Sequence, residues 1–243
     1  AVANAGMMNP ELQVTTKAAE AATVPTARST PICLLMGTTI QTGIVVPMTQ
    51  PVPELVPLTP GGRRVLDAAS RLFYERGIHA VGVDTIAEAA GVTKKTLYDR
   101  FGSKEALVVS YLQHRDARWR DHVASELARV PEPGPERVLA IFDAAISWSD
   151  ENSPKGCSAI NARAEIGEGN DDHPVFPEVS RQKIWLLDVF EELCAEAGVG
   201  DPRATAQAMM LLYEGAIVTV GMATFAEPFA IARTWAAALL AHD

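Results

Sequence analysis

From Gly62 onward the apolar positions recur at intervals of three and four. Val65, Ala68, Ala69, Leu72 and Phe73 line one side of a first segment that stops at Gly77, the spacing that stacks side chains on one face of an α-helix. Ile86, Ala87 and Ala90 mark a short second helix ending at Gly91, and Leu97 and Phe101 share the buried side of a third, with Thr93 placed to cap it. Gly102 stops that helix and Ser103 caps a long fourth, whose stripe of Val108, Leu112, Trp119, Val123 and Leu127 runs to the breaker PEPGP at 131–135. Further helices are predicted over roughly 136–148, 158–168, 174–197, 202–223 and 227–241, separated by loops of Gly, Asp, Asn and Pro. Nothing reads as a strand. The pattern predicts an all-α chain: an N-terminal three-helix head containing a helix-turn-helix over 61–106, followed by a larger helical body over 107–243.

Residues 1–60 break this rhythm. They hold eight of the sixteen prolines, few charges, and no sustained period of 3.6 or 2, so an irregular, disordered extension is expected there. With only Lys17 and Arg28 as cations it makes a poor nucleic-acid arm.

Charge is distributed unevenly. The 243 residues carry a net charge of −9, yet 61–104 hold eight basic and five acidic side chains whereas 105–243 hold eleven and twenty-two. Such a balance excludes wholesale coating of a polyanion and allows one basic face on an acidic body. No apolar run approaches the roughly 18 to 20 residues that span a bilayer, and the first residues lack the basic start of a secretory signal. Three widely spaced cysteines, Cys33, Cys157 and Cys194, show no zinc-type spacing. The expectation is a reduced, cytoplasmic protein with no membrane partner and no cofactor.

The basic face falls on GVTKKTLYDRFGSKEAL, residues 91–107. With Leu97 and Phe101 turned inward, Lys94, Lys95 and Tyr98 share the opposite side, because they are separated by three and four positions. A helix that presents lysines, a hydroxyl and a phenol, with its positive dipole end near Thr93, suits a major groove and its flanking phosphates. An ordinary solvated helix face gives the same spacing, so the wider sequence decides.

LDAASRLFYERG (66–77) followed by DTIAEAAGVTKKTLYDRFGSKEAL (84–107), with its IAxxAGV turn and TLYxRFxSKExL tail, resembles the tetracycline-repressor-like (TetR) family of transcriptional regulators. The resemblance implies that Thr93, Lys94, Lys95 and Thr96 read base edges and phosphates. It also implies that Tyr98, Arg100 and Lys104 clamp the backbone and that Thr85 touches phosphate from the bracing helix. Two residues depart from the family pattern. Lys95 stands where glycine is frequent, which puts a longer cation in the groove, suited to guanine O6 and N7. Asp99 brings an acid beside a phosphate-contacting position and calls for a pairing cation, Arg100 or Arg64.

In the body, AMMLLYEGAIVTVGMA (208–223) is apolar almost all round, with Glu214 its one charge. The resemblance implies that the last two helices pair with a second copy in a homodimer, where Gly215, Ala216 and Gly221 permit close approach. KGCSAINARAEIGEGNDDHPVFPEV (155–179) resembles one subgroup of the family, whose GCxxxNAxAE run precedes an HPV turn. This stretch is expected to wall an effector pocket. Phe142, Ile146, Trp148, Trp185, Met210 and Tyr213 are candidate apolar lining, with Asn161, Glu165 and Glu214 as polar groups. Ordinary core packing accounts for any one of them equally well.

The reading is therefore a ligand-responsive DNA-binding regulator, a repressor released from a palindromic operator by a small, largely apolar effector, and not an enzyme. Cys157 with His173, Asp171 and Asp172 lacks a nucleophile-elbow pattern. The alternatives are a metal- or thiol-responsive regulator with the same head, through Glu168, Asp171, Asp172 and His173 or through Cys157, and a helical module that does not bind DNA. His173 before Pro174 is expected to begin a helix, with Asp171 or Asp172 near the cap.

Overall fold

The computed structural model describes Leu55 and residues 57–151, 155–166 and 172–241. Apart from Leu55 and 57–60, the extension expected over 1–60 lies outside the described residues, as do Glu168 and Asp171. Every regular element among the described residues is helical: α1 (Pro60–Arg76), α2 (Val83–Ala90), α3 (Lys94–Phe101), α4 (Lys104–Leu127), α5 (Pro135–Glu151), α6 (Ser158–Glu165), α7 (Val175–Glu196), α8 (Pro202–Met222) and α9 (Pro228–Leu240).

Local chemistry sets the ends. The Thr59 hydroxyl accepts from the Gly62 amide, and Pro60 opens α1 where its missing N–H has no partner to lose. Gly91 closes α2 in the left-handed region at φ 62°, and Val92 N–H returns to the Ala87 carbonyl, a stop that a side chain at this position would strain. Thr93, Ser103 and Asp201 cap α3, α4 and α8 through side-chain oxygens. At α7 the N-cap position is Pro174, two residues after Asp172, and Val175 N–H donates to His173 Nδ1 at 3.3 Å.

Two apolar clusters result. One joins Val65, Leu72, Phe73, Ile86 and Leu97 of the head to Leu107, Tyr111 and Leu112 of α4. It continues into Ala159 and Ala162 of α6 and Val175 and Val179 of α7, so head packing runs past position 106 without a gap. The other fills the body with Leu127, Ile141, Phe142, Phe190, Leu193, Met209 and Phe229. Helix α7 packs on α8, α8 on α9, α9 on α5 and α5 on α4. The long α4 belongs to both clusters.

A buried ionic network clips α4 to α7. Asp116 accepts from Arg120 Nε at 2.9 Å and from Arg181 Nη2 at 2.8 Å, and Arg181 also donates to Glu178 at 2.6 Å. Arg120 further stacks on the Trp185 ring, 4.2 Å from its centroid. Asp116 lies in the buried register of α4, four residues after Leu112, where an acid is stable only with such partners.

Candidate nucleic-acid interface and effector cavity

The outward face of α3 is built on one buried anchor. Leu97 is fully buried against the head core, which turns Tyr98, 44% exposed, and the neighbouring lysines outward. The Thr93 hydroxyl accepts from Thr96 N–H at 3.1 Å, and the two threonine hydroxyls lie 3.0 Å apart. Both lysines hold acids: Lys94 reaches Asp84 of α2 at 2.5 Å and Lys95 reaches Asp99 one turn on at 2.7 Å. Asp99 thus pairs with Lys95 and not with Arg100 or Arg64, because Arg64 Nε is committed to the Ala90 carbonyl at 3.2 Å. Exposed pairs of this kind are worth about 0 to 1 kcal/mol, little enough for a phosphate to replace either carboxylate.

Glycines bring α1 against α3. A Cβ on Gly62 would stand 3.1 Å from Arg100 Cγ, and one on Gly61 would stand 3.7 Å from Thr96 Cγ2. The Arg100 stem is thereby laid across α1 with its side chain still exposed. Thr85 is exposed on α2 and Lys104 opens α4. Beside it, the backbone at the helix start and the Ser103 hydroxyl hold the Glu105 carboxyl below its ordinary range.

In the body, a half-open cavity of about 90 Å³ is walled by α1, α4, α5, α7, α8 and the 156–158 segment. Trp119, Trp148 and Tyr213 give it an aromatic lining, and Arg115 and Lys183 give it cations. The Trp119 and Trp148 rings meet edge-on at 5.7 Å, and Trp119 lies 6.2 Å from Tyr213. Burial drives the Tyr213 phenol well above its ordinary pKa, so it stays neutral. Lys183 Nζ donates to Glu214 at 2.7 Å and to Cys157 Sγ at 3.3 Å. Burial works against the ammonium, yet the Cys157 sulfur and the Glu214 carboxylate prevail and hold its pKa above the usual lysine value.

One wall of this cavity comes from the head. Tyr74 of α1 lines it and, through its hydroxyl, accepts from Lys155 N–H at 3.1 Å and donates to the Gly156 carbonyl at 3.4 Å. Nearby, Lys155 Nζ donates to the Glu75 carbonyl at 2.6 Å, and Glu165 accepts from His79 N–H at 2.7 Å. The end of α1 is in this way pinned to the body.

Of the pocket candidates, Trp148 and Tyr213 line the cavity and Glu214 holds one of its cations. Phe142, Ile146, Trp185 and Met210 belong to the body core behind it. Asn161 and Glu165 stand elsewhere, at a hollow beside Gly77, where Asn161 Nδ2 donates to the Lys155 carbonyl at 3.0 Å. Tyr74, Arg115 and Lys183 escaped the sequence reading, since each sits on a helix face that periodicity alone assigns to solvent. Among the described residues no three His, Cys, Asp or Glu side chains converge on a metal position.

The outer sides of α8 and α9 form a second surface. Leu211, Met222, Trp235, Ile231 and Leu239 are exposed there, Leu211 by 75% and Trp235 by 62%. Of the small residues, Gly215 has open space beyond its Cα, whereas Ala216 is buried within the chain and a Cβ on Gly221 would stand 3.5 Å from the Gly156 backbone nitrogen. Among the described residues no helix is long and apolar enough to cross a membrane.

A helix-turn-helix head on a helical body with an internal cavity defines a class of one-component regulators, and comparison with known proteins agrees. The profile of bacterial regulatory proteins of the tetR family matches residues 65–111. The structure aligns with that of a TetR-family transcriptional regulator from Streptomyces coelicolor at TM-score 0.66 and 31% identity, covering 74% of this chain and 96% of the other. The chain belongs to the TetR family. An HTH-type transcriptional regulator of Mycobacterium tuberculosis is 35% identical over 104 residues, 43% of this chain and 51% of the relative. The HTH-type transcriptional activator FasR of Mycolicibacterium smegmatis is 36% identical over 137 residues, 55% of each. The matched part spans about half the length of these curated relatives.

Proposed function

We propose that the protein is a homodimeric, ligand-responsive transcriptional regulator of the cytoplasm that binds a palindromic operator through α3 and releases it when a small effector enters the body cavity. The observation that carries this reading is the face of α3: Leu97 buried, with Lys94, Lys95 and Tyr98 exposed together. Thr93, Thr96, Arg100, Lys104 and Thr85 complete the contact set, the last two at the ends of flanking helices. The lysines exchange their acids for phosphates or guanine edges, so each contact adds salt dependence.

Dimerisation uses the exposed apolar sides of α8 and α9. One head fills one groove, and a palindrome is read by two heads roughly 34 Å apart on one duplex face. Effector response follows from the shared wall: a ligand against Tyr74 and the α4 residues Arg115 and Trp119 bears on the head through α1 and α4 at once. A tenfold change in operator affinity needs only about 1.4 kcal/mol of preference between the two head spacings. Repression is the simpler outcome, since an occupied operator blocks transcription directly.

A gel shift with the intergenic DNA upstream of its own gene tests the reading. A discrete, salt-sensitive shift is expected, and it should vanish in Lys95→Ala and Tyr98→Ala chains that melt like wild type. A shift that persists in both variants would place the interface elsewhere.

A further inference from the structure

The body cavity has an excess of positive charge. Its acids are already matched: Asp116 is held by Arg120 and Arg181, with Glu178 completing that network, and Glu214 is held by Lys183. Arg115 remains. Among the described residues no carboxylate pairs with it; its guanidinium instead lies 4.4 Å from the Tyr74 ring centroid and 5.7 Å from that of Trp148. Arg118, one turn on, flanks the same Trp148 ring at 5.4 Å. Ring faces attract a cation and fix its plane, but they do not neutralise it. A half-buried guanidinium in an aromatic cavity therefore lacks the counter-charge that burial calls for.

We infer that the effector is a compact organic carboxylate whose anionic group pairs with Arg115 and whose apolar body lies among Trp119, Trp148 and Tyr213. This rests on the regulator reading and narrows its ligand from an apolar molecule to an apolar acid. Three observations select the class. Among the residues that line the cavity Arg115 is the uncompensated cation, with Arg118 exposed outside the lining, and one such charge matches a monoanion, not the doubly charged phosphate monoester. The planar fork of arginine suits the two oxygens of a carboxylate, which it binds through parallel N–H donors. The cavity, half-open and about 90 Å³, favours a compact body over an extended one. Lys183 stands ready as a second donor, since an ammonium has three N–H groups and Glu214 and Cys157 account for two. Pairing with a carboxylate also draws Arg115 from the Tyr74 ring, which links ligand charge to the α1 wall.

The test uses the full chain free in solution, so it does not depend on DNA binding. Benzoate, phenylacetate and cyclohexanecarboxylate are each titrated beside the corresponding primary amide. Binding is followed by calorimetry and by the fluorescence of Trp119 and Trp148. At least one acid is expected to bind tenfold or more tightly than its amide, Arg115→Gln to erase that preference, and Arg115→Lys, which keeps the charge without the fork, to retain part of it. Amides binding as well as acids, or no acid binding at all, would overturn the inference. So would an Arg115→Gln chain of unchanged melting temperature that still prefers the acid. Should Arg115→Gln fail to fold, the acid and amide comparison on wild type and Arg115→Lys decides. A failed gel shift alongside acid binding would count against the regulator reading alone, and a DNA-binding chain that ignores every acid would count against the carboxylate alone.

Discussion

Tyr98 and Lys95 stand on a helix that does not need them to fold. Both are exposed, and the Lys95 pair with Asp99 is solvated on both sides, so Tyr98→Ala and Lys95→Ala should each change stability by less than about 0.5 kcal/mol. Thermal melts set beside DNA titrations check this, and a large loss of melting temperature would make the residues structural. Gly77 is the opposite kind of residue. Its φ of +88° is one that side chains rarely adopt, and a Cβ there would come within 3.0 Å of the Glu165 carboxylate. Gly77→Ala should cost about 1 to 2 kcal/mol in chemical denaturation. The sequence shows this glycine only as a helix stop. That it also makes room for Glu165, eighty-eight positions on, depends on tertiary packing.

Helix α4 begins at the head, passes the cavity and ends in the body core, the course that the proposed coupling requires. Ser103 caps its first turn at 3.1 Å from Ala106 N–H, and Ser103→Ala is expected to cost about 1 kcal/mol and to loosen the head on the body. Amide hydrogen exchange along 104–112 reports it, and unchanged protection would show that the cap is not needed. The clip to α7 is firmer: Asp116→Ala removes the carboxylate that both Arg120 and Arg181 hold, a loss of about 3 to 5 kcal/mol in chemical denaturation for a buried network. Across the cavity, burial opposes the Lys183 ammonium, but the Cys157 sulfur and the Glu214 carboxylate raise its folded-state pKa above the ordinary lysine value. Its ion pair with Glu214 therefore contributes fully below that value and is lost as pH rises through the folded pKa. The stability advantage of wild type over Lys183→Met should be flat between about pH 7 and pH 10 and shrink above; an advantage that grew with alkali would reverse the sign. Helix identity, order and most ends were legible from spacing and caps. The Asp116 cluster was not, although an acid at the position four after Leu112, inside a buried stripe, was its visible trace. Cavity residues such as Tyr74 and Arg115 come from helices far apart in sequence, and a one-dimensional pattern does not say which faces meet.

At the scale of the whole molecule, the net charge of −9 hides a head whose residues 61–104 are net basic, and apolar side chains are exposed on α8 and α9. Leu211 and Trp235 project from α8 and α9 into solvent, the surface proposed to meet a second copy. Leu211→Asp combined with Trp235→Asp is expected to reduce the particle to a single chain of 26.0 kDa in sedimentation equilibrium and to abolish binding to a palindrome. A double variant that remained dimeric would move the interface. The family placement was legible in the head, where short motifs fix the turn and where the family profile matches at 65–111, whereas the body gave up its cavity only in three dimensions. In the proposed complex two copies of α3 enter successive grooves of one duplex. Fluorescence anisotropy of the full chain on its upstream palindrome, titrated from low to high salt, measures this directly. The expected result is two chains per duplex, an affinity that falls steeply with salt, and a slope reduced by about two in Lys95→Ala, one for each copy. One chain per duplex, or a slope and affinity indifferent to Lys95→Ala and Tyr98→Ala, would contradict it.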